Sequence, residues 1–286
     1  MNTIGIFDSG IGGLTVFKEI RHRFPRADIF YFGDTARLPY GPKSKHTVIN
    51  YSVQNTRFLV QQSVEVVVVA CNTASSVALE TLQTSFSVPI IGVIEAGAKV
   101  ACQKTKCGKI GIIATEGTIN SRAYEFMITQ LSKDLQVFVK ACPLFVPLAE
   151  EGWIVDSISK QIAHIYLDGL VQEGIDTLVL GCTHYPILKN IIQEVCGSDV
   201  FLVDSAAAVT DHLLLLSTEV TNNNTNNTLY LVDKNPSSID LPVLRGKNHF
   251  FVSDLNTAKY QTFLENILQI KDYSLQEVKI GETWYL

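Results

Sequence analysis

The chain has little of several features that usually narrow a protein's function. Of its 286 residues 18% are charged, two are tryptophan and two are methionine, and the formal net charge is −5. A nucleic-acid-binding protein normally carries an excess of basic residues, so we expect no nucleic-acid partner. No apolar run reaches the about 18 residues that a membrane-spanning helix needs, so we expect no membrane association either.

The spacing of the cysteines does not match that of a metal-binding or redox-active pair. None of the six cysteines forms a C-x-x-C pair, and nothing near Cys102 and Cys107 would complete a metal site, so no metal is expected. The N-terminal "MNTIGIFDSG" lacks the basic and apolar regions of a signal peptide and is typical of a strand and turn. These features predict a cytoplasmic protein whose thiols are reduced.

Strand-like and helix-like segments alternate along the first hundred residues. The unbroken valines of "VEVVVVAC" (64–71) indicate a strand buried on both faces, as in a parallel sheet covered by helices. Further strands are predicted at 3–7, 27–34 and 88–96, with helices at 14–24, 45–62 and from Ala74 onward. This order predicts an α/β fold with a doubly wound parallel sheet.

The pattern then restarts. "KIGIIATEGTINS" (109–121) echoes "TIGIFDSGIGGLT" (3–15), and "GIDTLVLGCTH" (174–184) echoes "SVEVVVVACNT" (63–73). We therefore predict two similar doubly wound α/β domains related by pseudo-symmetry, with the active site in the cleft between them.

The later part of the chain is expected to return to the first domain. The predicted domains are residues 1–97 plus 207–286, and residues 98–206. The tail is predicted to contain a helix at 205–217, a polar loop at 221–228, strands at 229–233 and 249–254, and a helix at 259–268.

Two cysteines end corresponding strands of the two halves. Cys71 follows the valine run, Cys182 follows "LVLG", and a helix is predicted to start after each, with Thr73 or Thr183 in its cap region. Ligands of α/β sheets bind at this edge, and a helix N-terminus lowers the pKa of a thiol. One such cysteine would most simply be a small buried apolar residue. Two on opposite sides of a cleft suit inversion of a stereocentre, in which a thiolate removes a proton and a thiol delivers one.

Two polar residues accompany these thiols. His184 could relay a proton for Cys182, or simply meet solvent at a helix start. Asp8 could do the same for Cys71, accept a substrate ammonium group, or shape an Asx turn in "DSGIGG". That loop does not fit G-x-G-x-x-G because residue 15 is Thr, so its glycines suit a small anion such as a carboxylate better than a nucleotide.

Five motifs stand in order along the chain: "GIFDSGIGGLTV" (5–16), "YFGDTARLPYG" (31–41), "ACNTAS" (70–75), "CPLFVPLAEEG" (142–152) and "LGCTHYP" (180–186). Together they resemble the glutamate racemases of the cofactor-independent aspartate/glutamate racemase family. The resemblance implies interconversion of L- and D-glutamate, supplying D-glutamate for peptidoglycan, without pyridoxal phosphate, metal or nucleotide. It also implies a homodimer.

The resemblance further implies a role for each matching residue. Cys71 would deprotonate the D-isomer and Cys182 the L-isomer, with Asp8 and His184 as their helpers. Glu150 would orient the histidine, although its neighbour Glu151 is a possible substitute. The residues implied in substrate binding are Ser9, Asp34, Tyr40, Gly41, Asn72, Thr73 and Thr183, with Tyr40 and Gly41 at the distal carboxylate.

Three alternatives stay open. A racemase acting on aspartate or on a hydantoin would share the fold, and "PYG" and "CTHYP" favour glutamate over these. A thiol hydrolase or acyltransferase would use Cys182 with His184 and Glu150, and would not need Cys71. A non-catalytic amino-acid-binding protein is the third, and the paired thiols count against it.

Overall fold

A computed structural model describes residues 1–222, 246–255, 263–264 and 273–280; of these, the side chains of 218–222 are left out of the description. The first part of the chain alternates strands and helices as predicted. Its elements are β1 (Thr3–Asp8), α1 (Leu14–Arg23), β2 (Asp28–Gly33), a 3-10 helix (Thr35–Arg37), α2 (Lys45–Gln61), β3 (Val66–Val69), α3 (Asn72–Ser85), β4 (Ile90–Gly92) and α4 (Val93–Lys104).

The second part repeats this alternation. Its elements are β5 (Lys109–Ala114), α5 (Glu116–Ser121), α6 (Ala123–Leu131), β6 (Gln136–Ala141), α7 (Phe145–Glu150), α8 (Ser157–Gln172), β7 (Thr177–Gly181), a 3-10 helix (Tyr185–Leu188), α9 (Lys189–Cys196) and β8 (Phe201–Asp204). Then come α10 (Ser205–Asn222), β9 (Asn248–Val252) and β10 (Ser274–Glu277).

The strands form two separate sheets, and every described strand pair is parallel. The first sheet has the order β10-β9-β2-β1-β3-β4, and the second has β6-β5-β7-β8. All four residues of β3 are completely buried, because helices cover both faces of the sheet. The predicted fold class, two doubly wound α/β units with parallel sheets, is confirmed.

The two halves also share strand order and register. Ile4 pairs with Val66 in the first sheet, and Ile110 pairs with Thr177 in the second, which is the pairing that the sequence echo implies. A glycine occupies the next position in both halves. A Cβ at Gly5 would lie 3.1 Å from Val64, and one at Gly111 would lie 2.6 Å from the corresponding isoleucine. The repeated Ile-Gly-Ile therefore reflects a repeated close contact.

One predicted strand is too long. The strand expected over 88–96 covers only Ile90–Gly92, and α4 begins at Val93, whose N–H donates to the hydroxyl of Ser75 at 3.0 Å. The apolar residues after Gly92 are buried along a helix instead of a strand. A short apolar run does not distinguish these two arrangements.

The tail returns to the first sheet. β9 pairs with β2 and β10 pairs with β9, so the chain completes the sheet that its first residues began. Residues 221–222 continue α10, and the rest of the predicted polar loop lies outside the described residues. The strand predicted at 229–233 and the helix at 259–268, apart from 263–264, also lie outside them. The domain boundaries stay a prediction.

Candidate active site

The carboxyl ends of central strands from both sheets meet at one place. Asp8 ends β1, Cys71 comes two residues after β3, and Cys182 follows β7 directly. The Thr183 hydroxyl donates to Asp8 Oδ1 at 3.3 Å, so a residue beside one thiol contacts a residue of the other half. All four side chains are nearly or completely buried. The structure therefore brings both cysteines and Asp8 together, although 111 residues separate the thiols along the chain.

Cys71 lies at the N-cap of α3. The N–H of Ala74 donates to its sulfur at 3.5 Å, and Ser9 also hydrogen-bonds to it. Burial, followed by the nearby carboxylate of Asp8, nevertheless raises the pKa of Cys71 to about 12. The prediction of a lowered thiol pKa is therefore wrong for Cys71, because loss of solvent outweighs the helix N-terminus.

Cys182 has a different environment. The chain after it forms a 3-10 helix (Tyr185–Leu188) before α9 begins at Lys189, so the α-helix start predicted beside this thiol is displaced by several residues. The sulfur lies 3.8 Å from His184 Nδ1. The two thiols thus occupy equivalent strand ends but have different partners.

His184 connects Cys182 to a carboxylate. Its Nε2 lies 3.1 Å from Glu150 Oε1, and the imidazole is 5% exposed. Burial lowers the pKa of His184, but hydrogen bonds to Cys182 and Glu150 outweigh burial and raise the pKa to about 10. The ring is therefore not a solvent-facing helix-start histidine. Glu150, the last residue of α7, makes this contact, whereas its neighbour Glu151 is exposed.

Asp8 belongs to both sides of the site. Its carboxylate accepts the N–H of Gly10 at 3.0 Å, which is the Asx-type contact expected of a loop-shaping residue. Burial raises the pKa of Asp8, while the charge of His184 and the N–H of Gly10 oppose that rise. A carboxyl group with a raised pKa beside Cys71 can hold or release a proton, so the two readings of Asp8 are compatible.

Asp34 and Tyr40 form a buried network with each other. Asp34 accepts hydrogen bonds from Arg37 Nε at 2.8 and 2.9 Å, from Ser253 at 2.8 Å, and from the hydroxyl of Tyr40. Tyr40 in turn accepts from Asn55 Nδ2 at 3.0 Å, and its burial, with Asp34 nearby, raises its pKa well above the usual value. Their direct contact with a substrate stays a prediction.

Gly41 and Thr73 lie where the two halves touch. The carbonyl of Gly41 accepts the N–H of Gly117 at 3.0 Å, and a Cβ at Gly41 would lie 2.9 Å from Thr115. Thr73 Oγ1 is 2.8 Å from Thr115 Oγ1 and 3.3 Å from Thr118 Oγ1. These contacts form the wall of the site on the Cys71 side.

Asn72 is the first residue of α3 and is 2% exposed. Its Oδ1 accepts the hydroxyl of Tyr124 at 2.8 Å. Its Nδ2 is buried and has no hydrogen-bond partner among the described residues. A donor in this state, next to the Cys71 thiol, is suited to hold an acceptor group of a ligand.

Three residues at this site are not among those predicted from the sequence: Thr115, Gly12 and Tyr124. Thr115 has a signal, since it stands at the position of the second repeat that corresponds to Ser9 in the first. Gly12 was noted only as part of its loop; a Cβ there would lie 2.5 Å from His184 Nδ1. Tyr124 has no signal, because only the tertiary fold brings α6 to Asn72.

Two further findings concern the described part of the chain. No group of three or more His, Cys, Asp or Glu side chains there is arranged to hold a metal ion. No helix there has the length and apolarity needed to cross a membrane.

Comparison with known proteins identifies the class. Residues 14–213 match the Asp/Glu/Hydantoin racemase family, so the chain belongs to that family and is an isomerase of the racemase type. The glutamate racemase of Geobacter metallireducens is 56% identical over 203 residues, which is 71% of this chain and 75% of the relative.

Solved structures agree with this membership. The glutamate racemase of Francisella tularensis, crystallised in complex with D-glutamate, has a TM-score of 0.85 and 35% identity, and the match covers 99% of both chains. Glutamate racemase isoform RacE1 of Bacillus anthracis also has a TM-score of 0.85, with 37% identity and 97% coverage of both chains.

Proposed function

We propose that the substrate is glutamate and that Cys71 and Cys182 invert it at Cα by a two-base reaction. The observation that carries the proposal is the pair of buried thiols at equivalent ends of β3 and β7, each with its own acid–base partner. The glutamate racemases that this chain resembles, one of them solved with D-glutamate, support the choice of substrate.

The reaction needs one ionised and one protonated thiol at a time. With L-glutamate, Cys182 as a thiolate removes the α-proton, and the Cys71 thiol delivers its own proton to the opposite face. With D-glutamate the roles are exchanged. The imidazolium of His184, held by Glu150, stabilises the Cys182 thiolate. Asp8 accepts or supplies the proton on the Cys71 side.

Hydrogen-bond donors in the cleft must stabilise the negative charge of the substrate. Removing a proton next to a carboxylate adds negative charge, and without an electron-accepting cofactor only fixed dipoles can stabilise it. Ser9, Asn72, Thr73 and Thr183 are assigned to the amino and α-carboxylate groups. Tyr40 and Gly41 are assigned to the distal carboxylate, and Asp34 acts there through Tyr40.

The thiols are accessible to a substrate only when the halves separate. Cys71 is 5% exposed and Cys182 is 6% exposed, and contacts such as Thr73 to Thr115 hold the halves together. We infer that residues 1–97 with 207–286 and residues 98–206 move as two domains, which open for entry and close to exclude water. We further propose a homodimer that supplies D-glutamate for peptidoglycan.

One observation favours a second candidate. The order Cys182, His184, Glu150, with contacts of 3.8 and 3.1 Å, resembles the nucleophile, base and orienting acid of a thiol hydrolase. Such an enzyme would need only one cysteine. A racemase acting on another small acidic amino acid is the nearest alternative in substrate.

The deciding experiment follows L-glutamate in D₂O under reducing conditions with no added cofactor. A racemase of the proposed kind makes optical rotation decay to zero while deuterium replaces hydrogen at Cα. Rotation that stays constant without deuterium uptake excludes glutamate, and the same assay is then run on aspartate. A hydrolytic activity that Cys71→Ser retains would favour the thiol hydrolase.

A further inference from the structure

We propose that Tyr124 is a positioning residue of this site, whose hydroxyl holds the Asn72 carboxamide so that Nδ2 is kept for a substrate carboxylate. The inference rests on the proposed function, since it assigns a partner to the α-carboxylate of the substrate. No motif of the sequence marks this tyrosine.

The contact joins the two halves of the molecule. Tyr124 is the second residue of α6, and Asn72 is the first residue of α3, beside Cys71. The tyrosine is 3% exposed, and its hydroxyl donates to Asn72 Oδ1 at 2.8 Å. Burial raises the pKa of Tyr124, so the hydroxyl keeps its proton and acts as a donor.

The Tyr124 hydroxyl has two neighbours that can accept its proton, Asn72 Oδ1 and Ser205 Oγ. The Ser205 hydroxyl lies 3.2 Å from the Tyr124 hydroxyl and donates its own proton to the carbonyl of Leu180 at 3.0 Å. The phenolic proton goes to Asn72 Oδ1, which at 2.8 Å is the nearer of these two acceptors. A Cβ at Gly97 would lie 3.2 Å from the phenolic oxygen, so glycine at this position lets the tyrosine pack closely against α4.

The amide nitrogen of Asn72 is the atom whose missing partner needs an explanation. Asn72 Nδ2 is buried without a hydrogen-bond partner in the part of the chain that the structure describes. A buried donor without an acceptor is unfavourable, and a ligand-binding site is where such a group is retained. An amide N–H can only donate, so its ligand partner must be an acceptor. Of the groups on the α-carbon of an amino acid, the carboxylate accepts and the ammonium does not.

The test replaces Tyr124 with phenylalanine, which keeps the ring and removes the hydroxyl. Without the donor the amide can rotate, so the Kd for D-glutamate in calorimetry and the KM in both directions should rise about fivefold, the effect of one buried neutral hydrogen bond. Tyr166→Phe is the matched control. Tyr166 lies in the same half and accepts the N–H of Leu144 at 3.3 Å, so its loss should leave Kd and KM unchanged.

A double-mutant cycle separates positioning from a general structural effect. In an Asn72→Ala background, Tyr124→Phe should change Kd by less than about twofold, because the group that the tyrosine holds is gone. Wild-type affinity in Tyr124→Phe, or an equal loss in both backgrounds, would overturn the inference.

The same data distinguish this inference from the proposed function. If the wild-type chain binds D-glutamate without racemising it, the proposed function fails, and the Kd ratio still decides the role of Tyr124. If the wild-type chain racemises glutamate and Tyr124→Phe binds D-glutamate with the same Kd as the wild-type chain, only the inference fails. A wild-type chain that binds no glutamate refutes both.

Discussion

A methyl group added at Gly12 should disable the Cys182 side of the site. The new Cβ of Gly12→Ala would lie 2.5 Å from both Cε1 and Nδ1 of His184 and 2.5 Å from Thr183 Oγ1. Ordinary contacts between such atoms are about 3.5 Å, so the imidazole must retreat by roughly 1 Å. Gly12 is not among the glycines with positive φ, so alanine brings a steric change and no backbone strain.

The retreat should break the contact between His184 and Cys182. Their separation of 3.8 Å is already long for a hydrogen bond to sulfur, and a further ångström removes it. A misplacement of 1 Å at a reacting group lowers turnover about 100-fold. L- and D-glutamate have equal free energies, so kcat/KM must fall by the same factor in both directions.

Circular dichroism measures both directions of this reaction. The control is Gly169→Ala, an exposed position in α8 where an added Cβ meets nothing within 4 Å. That variant should keep full activity and gain up to about 1 kcal/mol of stability, because alanine favours a helix over glycine. If Gly12→Ala stays folded and retains kcat/KM within about threefold of wild type, the proposed role of His184 is refuted.

Three further predictions concern the thiols, the histidine and the buried ion pair. Cys71→Ser should lose racemisation in both directions in the polarimetric assay, because each direction needs both sulfurs. Glu150→Gln removes the negative charge of the carboxylate whose hydrogen bond raises the pKa of His184, so the alkaline limb of the pH–rate profile should move down by about one pH unit. Asp34→Asn should lower the free energy of unfolding in urea by about 3 kcal/mol, because the Arg37 guanidinium loses its buried carboxylate.

The sign of the histidine prediction follows from linkage. A pKa raised from 6.5 to about 10 means that the folded protein keeps the imidazolium up to about pH 10. The stability that the charged ring contributes is fully present below pH 6.5 and is lost as the pH rises through 10. Glu150→Gln lowers the upper pH limit of the range in which His184 stays charged.

The Glu150 and Asp34 variants each have a control in the same chain. Glu151→Gln, at the exposed neighbouring carboxylate, should leave the pH–rate profile in place. Asp211→Asn breaks an exposed pair with Arg23, so it should cost less than about 1 kcal/mol. Equal shifts in Glu150→Gln and Glu151→Gln would contradict the assignment of Glu150. Full racemase activity in Cys71→Ser would contradict the two-thiol reaction.

In the proposed reaction, the two acid–base partners allow one site to act on both isomers. Cys182 has a cation beside it, and Cys71 has a carboxyl group whose pKa burial raises. In the resting protein the Cys71 thiol, with a pKa of about 12, is protonated. In the proposed reaction this state is ready for L-glutamate, and reaction of D-glutamate requires proton transfer from Cys71 toward Asp8 first.

The sequence by itself determined the sheets and the position of the thiols. Strand and helix periodicity is local, so runs such as Val66–Val69 predict buried parallel strands directly. The repeated Ile-Gly-Ile is matched by one shared register of β1 on β3 and of β5 on β7, because the same close packing at a glycine recurs in both halves. A cysteine after each of two matching strands placed both thiols at the edge where α/β sheets bind ligands.

Only the tertiary structure decided which residues contact those thiols and their partners, and in which direction the pKa of Cys71 is shifted. Three contacts at the site join residues far apart in the chain. They are His184 with Glu150 instead of Glu151, Gly12 with His184, and Tyr124 with Asn72. The helix N-terminus at Cys71 is visible in the sequence and predicted a lower pKa, yet the pKa is raised. Burial decides that sign, and burial depends on how the two halves pack together, which no local pattern contains.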